Sequence, residues 1–162
     1  MSIGASFLPE YEHEMSTTRK FLERVPDEKW DWKPDPKSMT LGGLSTHIAQ
    51  MQAWGEDTMK LPKYDLAGYK PPKLDNKAAL LAAFDTGVAR FKAAMAAARD
   101  EEWTAPWSLT SGDHVIFAMP RVGAIRSMIF NHTIHHRGQL SVYFRLLGVP
   151  VPGAYGPSAD EM

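Results

Sequence analysis

Apolar residues recur every three or four positions along four stretches of this chain, and each stretch ends at a breaker. The first runs from about Ser6 to Val25, with Tyr11, Met15, Thr18, Leu22 and Val25 on one stripe, and Pro26 stops it. Asp27 to Met39 is dense in Trp and Pro, which predicts an ordered loop whose Trp30 and Trp32 pack back onto the body. Ser38 or Thr40 caps a second helix reaching about Leu61, weakened in its first turns by Gly42 and Gly43. Its core stripe is Leu44, His47, Met51 and Trp54. Pro62 ends it, and the Pro/Gly-containing segment to Lys73 predicts a loop. Asp75 or Asn76 caps a third helix to about Arg99, carried by Leu81, Phe84, Val88, Phe91, Met95 and Ala98.

Between Glu101 and Met119 the helical rhythm is lost, leaving a loop with room for one short hairpin around Gly112 and Asp113. Pro120 suits the first turn of a fourth helix, which runs to about Leu147 and stops at Gly148, since Pro150 and Pro152 forbid continuation. Val149 to Met162 reads as a tail on the surface. Four helices with one apolar stripe each predict an all-α fold, a four-helix bundle with long connecting loops. A chain of 162 residues fits one such domain, residues 1–162, since domains usually take about 100–200 residues.

Composition narrows the partners. The net charge is −1, from 18 basic and 19 acidic residues with no basic run, so nucleic acid and anionic membrane surfaces have little to attract them. The most apolar stretch, Ala78 to Ala98, is broken by Asp85, Gly87, Arg90 and Lys92, and Met1 to Pro9 carries no charged leader. The expectation is a soluble cytoplasmic protein. The absence of cysteine excludes disulfides, thiolate metal sites and a protein-borne nucleophilic thiol.

Against that absence stand six histidines, three of them within five positions. The seam of the fourth helix reads Val122, Ile125, Ile129, His132, His136, Leu140, Tyr143 and Leu147, so two core positions are imidazoles. At about 100° per residue, His132 and His136 lie roughly 40° apart and His135 about 100° off the seam. Two imidazoles at i and i+4 reach a common point, the spacing that recurs in zinc sites. Buried together they either find separate acceptors, as ordinary core histidines do, or share one divalent cation. His47, on the core stripe of another helix, is the natural third vertex. Glu10 and His13 have the Glu-x-x-His spacing of di-iron bundles, but neither His132 nor His136 has an acid three residues before it, which excludes that site. The missing glutamate after His132 likewise excludes a zincin protease. His114 beside Asp113 reads as solvated.

At these residues the chain resembles the DinB/YfiT-like superfamily of metalloenzymes, and its DinB branch in particular. The stretch from Trp32 to Ile48 is similar to the family's loop-to-second-helix signature ending in its first metal histidine. Asn131 to Leu140 is similar to its fourth-helix motif, and Leu147 to Ser158 to its tail. The resemblance implies an up-down-down-up bundle, frequent homodimers, and a divalent metal held by His47, His132 and His136.

Three neutral ligands leave a divalent ion with its full charge and an open position, the arrangement of catalytic sites. There a water would have its pKa lowered to about 7 by zinc, and an incoming thiol would bind as thiolate. Zinc and nickel head the candidate metals, with iron or copper also compatible with imidazole. The expected function is a metal-dependent transferase of a low-molecular-weight thiol, or a hydrolase, acting on a small-molecule substrate. The alternative is a non-catalytic, metal-binding, stress-associated bundle. Glu10, Glu14, Arg137 and Asn131 are candidates for supporting or substrate contacts, although charges and amides beside a helix stripe are more often solvated.

Overall fold

The computed structural model describes residues 2–162. Helix α1 spans Ile3–Glu23, with the Ser2 side chain accepting from the Ala5 N–H, and its predicted stripe of Tyr11, Met15, Thr18 and Leu22 is buried. Helix α2 spans Leu41–Lys60 and α3 spans Lys77–Ala97, capped by Thr40 and Asn76 respectively. A short helix α4, Asp100–Thr104, buries Trp103. The last long helix opens as α5, Arg121–Ala124, widens into a π-helical stretch at Ile125–Asn131, and continues as α6, His132–Leu147. Gly148, with φ 68°, ends it in the left-handed conformation that glycine adopts without steric cost.

The long helices close a ring in which α1 meets α3, α3 meets α2, α2 meets α6 and α6 meets α1. Between α1 and α3, Glu12 pairs with Lys92 and Arg19 with Asp85, so these two run in opposite directions. Gln52 meets Gly87 and Gly55 meets Phe91, so α2 and α3 run the same way. Those glycines let the two backbones approach; a Cβ on Gly55 would lie 2.5 Å from the Phe91 ring. In the centre, Tyr11, Phe91 and Phe130 pack with ring centroids 5.0 and 5.5 Å apart.

The molecule is mostly helical, but not all-α. Three strands form a small mixed sheet in the order β1-β2-β3: β1 (Lys63–Asp65), β2 (Pro106–Ser111) and β3 (His114–Pro120). The hairpin of β2 and β3 turns at Gly112 as the sequence suggests, with a bulge between Leu109 and Thr110. Strand β1, parallel to β2, lies in the stretch expected to be loop. At three residues it is too short for a period-two pattern, and its pairing partner is more than forty positions away. Trp107 and Leu109 of β2 form a second small core with Ala124.

Two further departures concern phase. On α3 the buried residues are Leu80, Phe84, Gly87, Phe91 and Met95, whereas the predicted Leu81 and Val88 are only half-buried. Gly87 carries no apolar signal, yet it marks the face turned to α2. The π-helical stretch, too, was expected as regular α-helix, because a widened turn has no composition of its own.

Candidate metal centre

His47 owes its position to the way α2 starts. The loop carbonyls of Trp32 and Trp30 accept from the N–H groups of Leu41 and Gly42 at 2.7 and 2.8 Å, and Thr40 Oγ1 accepts from Gly43. Three of the N–H groups left free at a helix start are thereby satisfied. Gly42 is required here, because a Cβ would fall 2.2 Å from the Trp30 indole. The loop tryptophans thus pin the helix, and His47 follows in its second turn.

His132 and His136 come from the start of α6, directly after the π-helical stretch. A buried network fixes the register between the two helices. Tyr11 Oη donates to Gln52 Oε1 (2.8 Å), and Gln52 Nε2 donates to Thr133 Oγ1 (3.2 Å), tying α1, α2 and α6 together beside the histidines.

The three imidazoles converge as the sequence predicts. Their ring centroids lie 4.7 Å (His47 to His136), 5.1 Å (His47 to His132) and 4.5 Å (His132 to His136) apart, and one nitrogen from each lies within 4.8 Å of the others. The Nε2 atoms of His132 and His136 face each other at 2.8 Å. His136 Nδ1 lies 2.6 Å from Gln139 Oε1. The Gln139 amide oxygen only accepts, so it holds the His136 ring proton on the nitrogen that faces it, Nδ1. His136 Nε2 then presents its lone pair toward His132 Nε2, 2.8 Å away, where a cation shared with His132 and His47 satisfies it. The donor set therefore fits a divalent metal.

The electrostatics agree. Burial, reinforced by the charges of His136 and His132, pushes the His47 imidazole down to about 4. Burial likewise lowers His132, and lowers His136 against the opposing hydrogen bond that His136 donates to Gln139. All three rings are held neutral, the form that ligates metal.

Two cavities open at the triad. The larger, about 470 Å³, lies over His47 between the start of α2 and the segment 69–75, and Gln50, Trp54 and Tyr69 stand in its wall. Tyr69 Oη donates to Gln50 Oε1 at 3.0 Å. The smaller, about 220 Å³, touches both His47 and His132 and is walled by Trp54, Tyr64, Leu66, Trp107, Leu109 and Met128.

The remaining candidates separate cleanly. His13, His114, His135 and Asn131 are exposed, although the His135 ring lies 5.0 Å from that of His136. Glu10 forms an exposed pair with Arg126. Glu14 and Arg137, candidates for supporting or substrate contacts, are neither solvated nor at the triad but form a buried ion pair at 2.7 Å. Arg137 also donates to the Glu14 carbonyl, Thr18 Oγ1 and Tyr155 Oη, so it fastens α6 to α1 and to the C-terminal tail. Sequence reasoning missed Gln139, which its position three residues after His136 could have disclosed. It also missed Gln50, Tyr64, Tyr69 and Trp107, three of which come from loop or strand segments without helical periodicity.

Comparison with known proteins agrees with this architecture. YrdA of Bacillus subtilis (strain 168) is 29% identical over 156 residues, covering 96% of this chain and 89% of that protein. A DinB-like protein from Bacillus cereus ATCC 10987 has a similar structure, with a TM-score of 0.74 and 25% identity over 95% of this chain and 98% of that one. The DinB-like protein YjoA from Bacillus subtilis gives a TM-score of 0.68 at 18% identity, covering 90% of this chain and 95% of that one. The DinB family profile matches residues 1–162, and the chain belongs to the DinB family.

Proposed function

We propose that this protein is a single-domain, metal-dependent enzyme in which His47, His132 and His136 hold one divalent cation, and that it acts on a small electrophile by thiol transfer or hydrolysis. The observation that carries the reading is the convergence of one nitrogen from each of three imidazoles within 4.8 Å, the Nε2 atoms of His132 and His136 being 2.8 Å apart and Gln139 standing behind His136. A cation so held keeps an open position and supplies Lewis acidity that makes a water or thiol acidic near neutral pH. Zinc or nickel is the first choice, and iron or copper suits the same ligands.

The chain's own residues do the rest. Gln139 holds the His136 ring in the ligating tautomer, and the Tyr11–Gln52–Thr133 network keeps the helices in register. Trp54 and its neighbours Tyr64 and Tyr69, with ring centroids 6.3 and 5.5 Å from it, shield the triad from bulk water. Cavities of this kind beside the triad favour catalysis over a purely structural site, which has no use for an open approach. The paired contacts between helices support the up-down-down-up order.

The test is a substrate panel on metal-loaded protein: small thiols with an alkylating electrophile in one arm, and esters, amides and phosphodiesters in the other. The expected result is turnover in one arm that disappears in His47→Ala and on chelation. Absence of metal-dependent turnover in both arms contradicts the enzyme reading.

A further inference from the structure

The smaller cavity differs in kind from the larger one. Its walls are aromatic and aliphatic, it takes Trp107 and Leu109 from β2 and Leu66 from the turn after β1, and it reaches His47 and His132 directly. The sheet that interrupts the helical fold therefore forms one side of a chamber whose opposite side is the candidate metal centre. An apolar cavity of about 150 Å³ accommodates a benzene-sized guest, and this one measures about 220 Å³. It has room for a ring bearing one or two further atoms, or for a short alkyl chain, and not for a larger group. The larger cavity shares His47 and Trp54 with it and is also mostly apolar, but it adds polar groups at Thr46, Gln50, Tyr69 and Lys73.

We infer that the smaller, apolar chamber is the specificity pocket for the electrophile, taking a benzyl-sized or short alkyl group, while the larger cavity, which carries the polar groups, takes the second reactant. This rests on the proposed function and sharpens it. Two chambers meeting at His47 suit two organic reactants, which a transfer requires and hydrolysis does not. In that transfer the thiol sulfur bonds to the electrophilic carbon as the bond from that carbon to its leaving group breaks. The leaving group departs with the electron pair, and the thiol proton passes to solvent. Leu66, Leu109 and Trp107 set the size of group accepted.

Toluene is the probe, titrated into the zinc-loaded and the chelator-treated protein and followed by NMR contacts to side chains and by tryptophan fluorescence. The expected result is saturable binding with contacts to Trp107, Leu109 and Met128. Leu66→Phe, at the half-buried rim, should weaken it at least tenfold while the melting temperature and zinc content stay unchanged. Leu109→Phe, measured alongside, should do the same from the opposite wall. No saturable binding, contacts elsewhere, or wild-type affinity in both filled variants overturns the inference. Zinc uptake without toluene binding removes the chamber alone, whereas toluene binding without zinc uptake removes the metal reading alone.

Discussion

His136 is held from both sides of its ring, by Gln139 behind and by His132 in front. Outer partners of metal-bound histidines typically govern affinity by about 10–100-fold. Gln139→Leu should therefore weaken zinc binding by about that factor in a chelator competition, with the fold intact by circular dichroism; unchanged affinity contradicts the role. Tyr11 is a different case. Among the described residues its hydroxyl is the sole donor to Gln52 Oε1, in a fully buried setting, so Tyr11→Phe leaves an acceptor unsatisfied and should cost about 1–3 kcal/mol in urea unfolding. The three ligand candidates were legible in the sequence because imidazoles at apolar positions of two stripes break the pattern visibly. Arg137 and Glu14 were not, since a charge on a helix reveals a buried partner only when the facing helix is known, and that partner is more than one hundred residues away.

Helix α2 is the element on which most of the site depends. Its start is fixed by the Trp30 and Trp32 carbonyls, its far half by close packing on α3, and His47 lies between. Gly55→Ala would drive a methyl group into the Phe91 ring and should destabilise by about 1–3 kcal/mol, as overpacking does. Gly138→Ala, on the exposed face of α6 where an added Cβ meets nothing within 4 Å, should stabilise by about 0.5–1 kcal/mol. Thermal unfolding of the two variants compares them directly, and a shared sign would refute the helix contact. Helix boundaries were legible because caps and prolines mark them: Thr40, Asn76 and Gly148 stand where expected. The π-helical stretch before His132 was not, because the same residues would fill a regular turn equally well.

For the whole molecule, the folded state keeps three imidazoles neutral that an unfolded chain would protonate below about 6.5. Protons thus bind the unfolded chain preferentially in that range. Stability of the metal-free protein should be complete above pH 6.5 and fall progressively as the pH drops toward about 4, where His47 itself titrates. Chemical unfolding of chelator-treated protein at a series of pH values tests this; a flat profile between pH 7 and 4 contradicts it. The helical frame could be read from periodicity, because each long helix buries one stripe. The β2–β3 hairpin could be read from its Gly112-Asp113 turn, but β1 could not, because it pairs with a segment more than forty residues away, and no local pattern announces the chamber the sheet supplies. No helix among the described residues is long and apolar enough to cross a membrane. Whether His47, His132 and His136 together hold a metal is decided by elemental analysis of protein purified without a histidine tag and reconstituted with zinc or nickel. About one ion per chain, falling to a small fraction in His47→Ala and His136→Ala that still fold, is the predicted result. A wild-type content no higher than that of the variants contradicts the account.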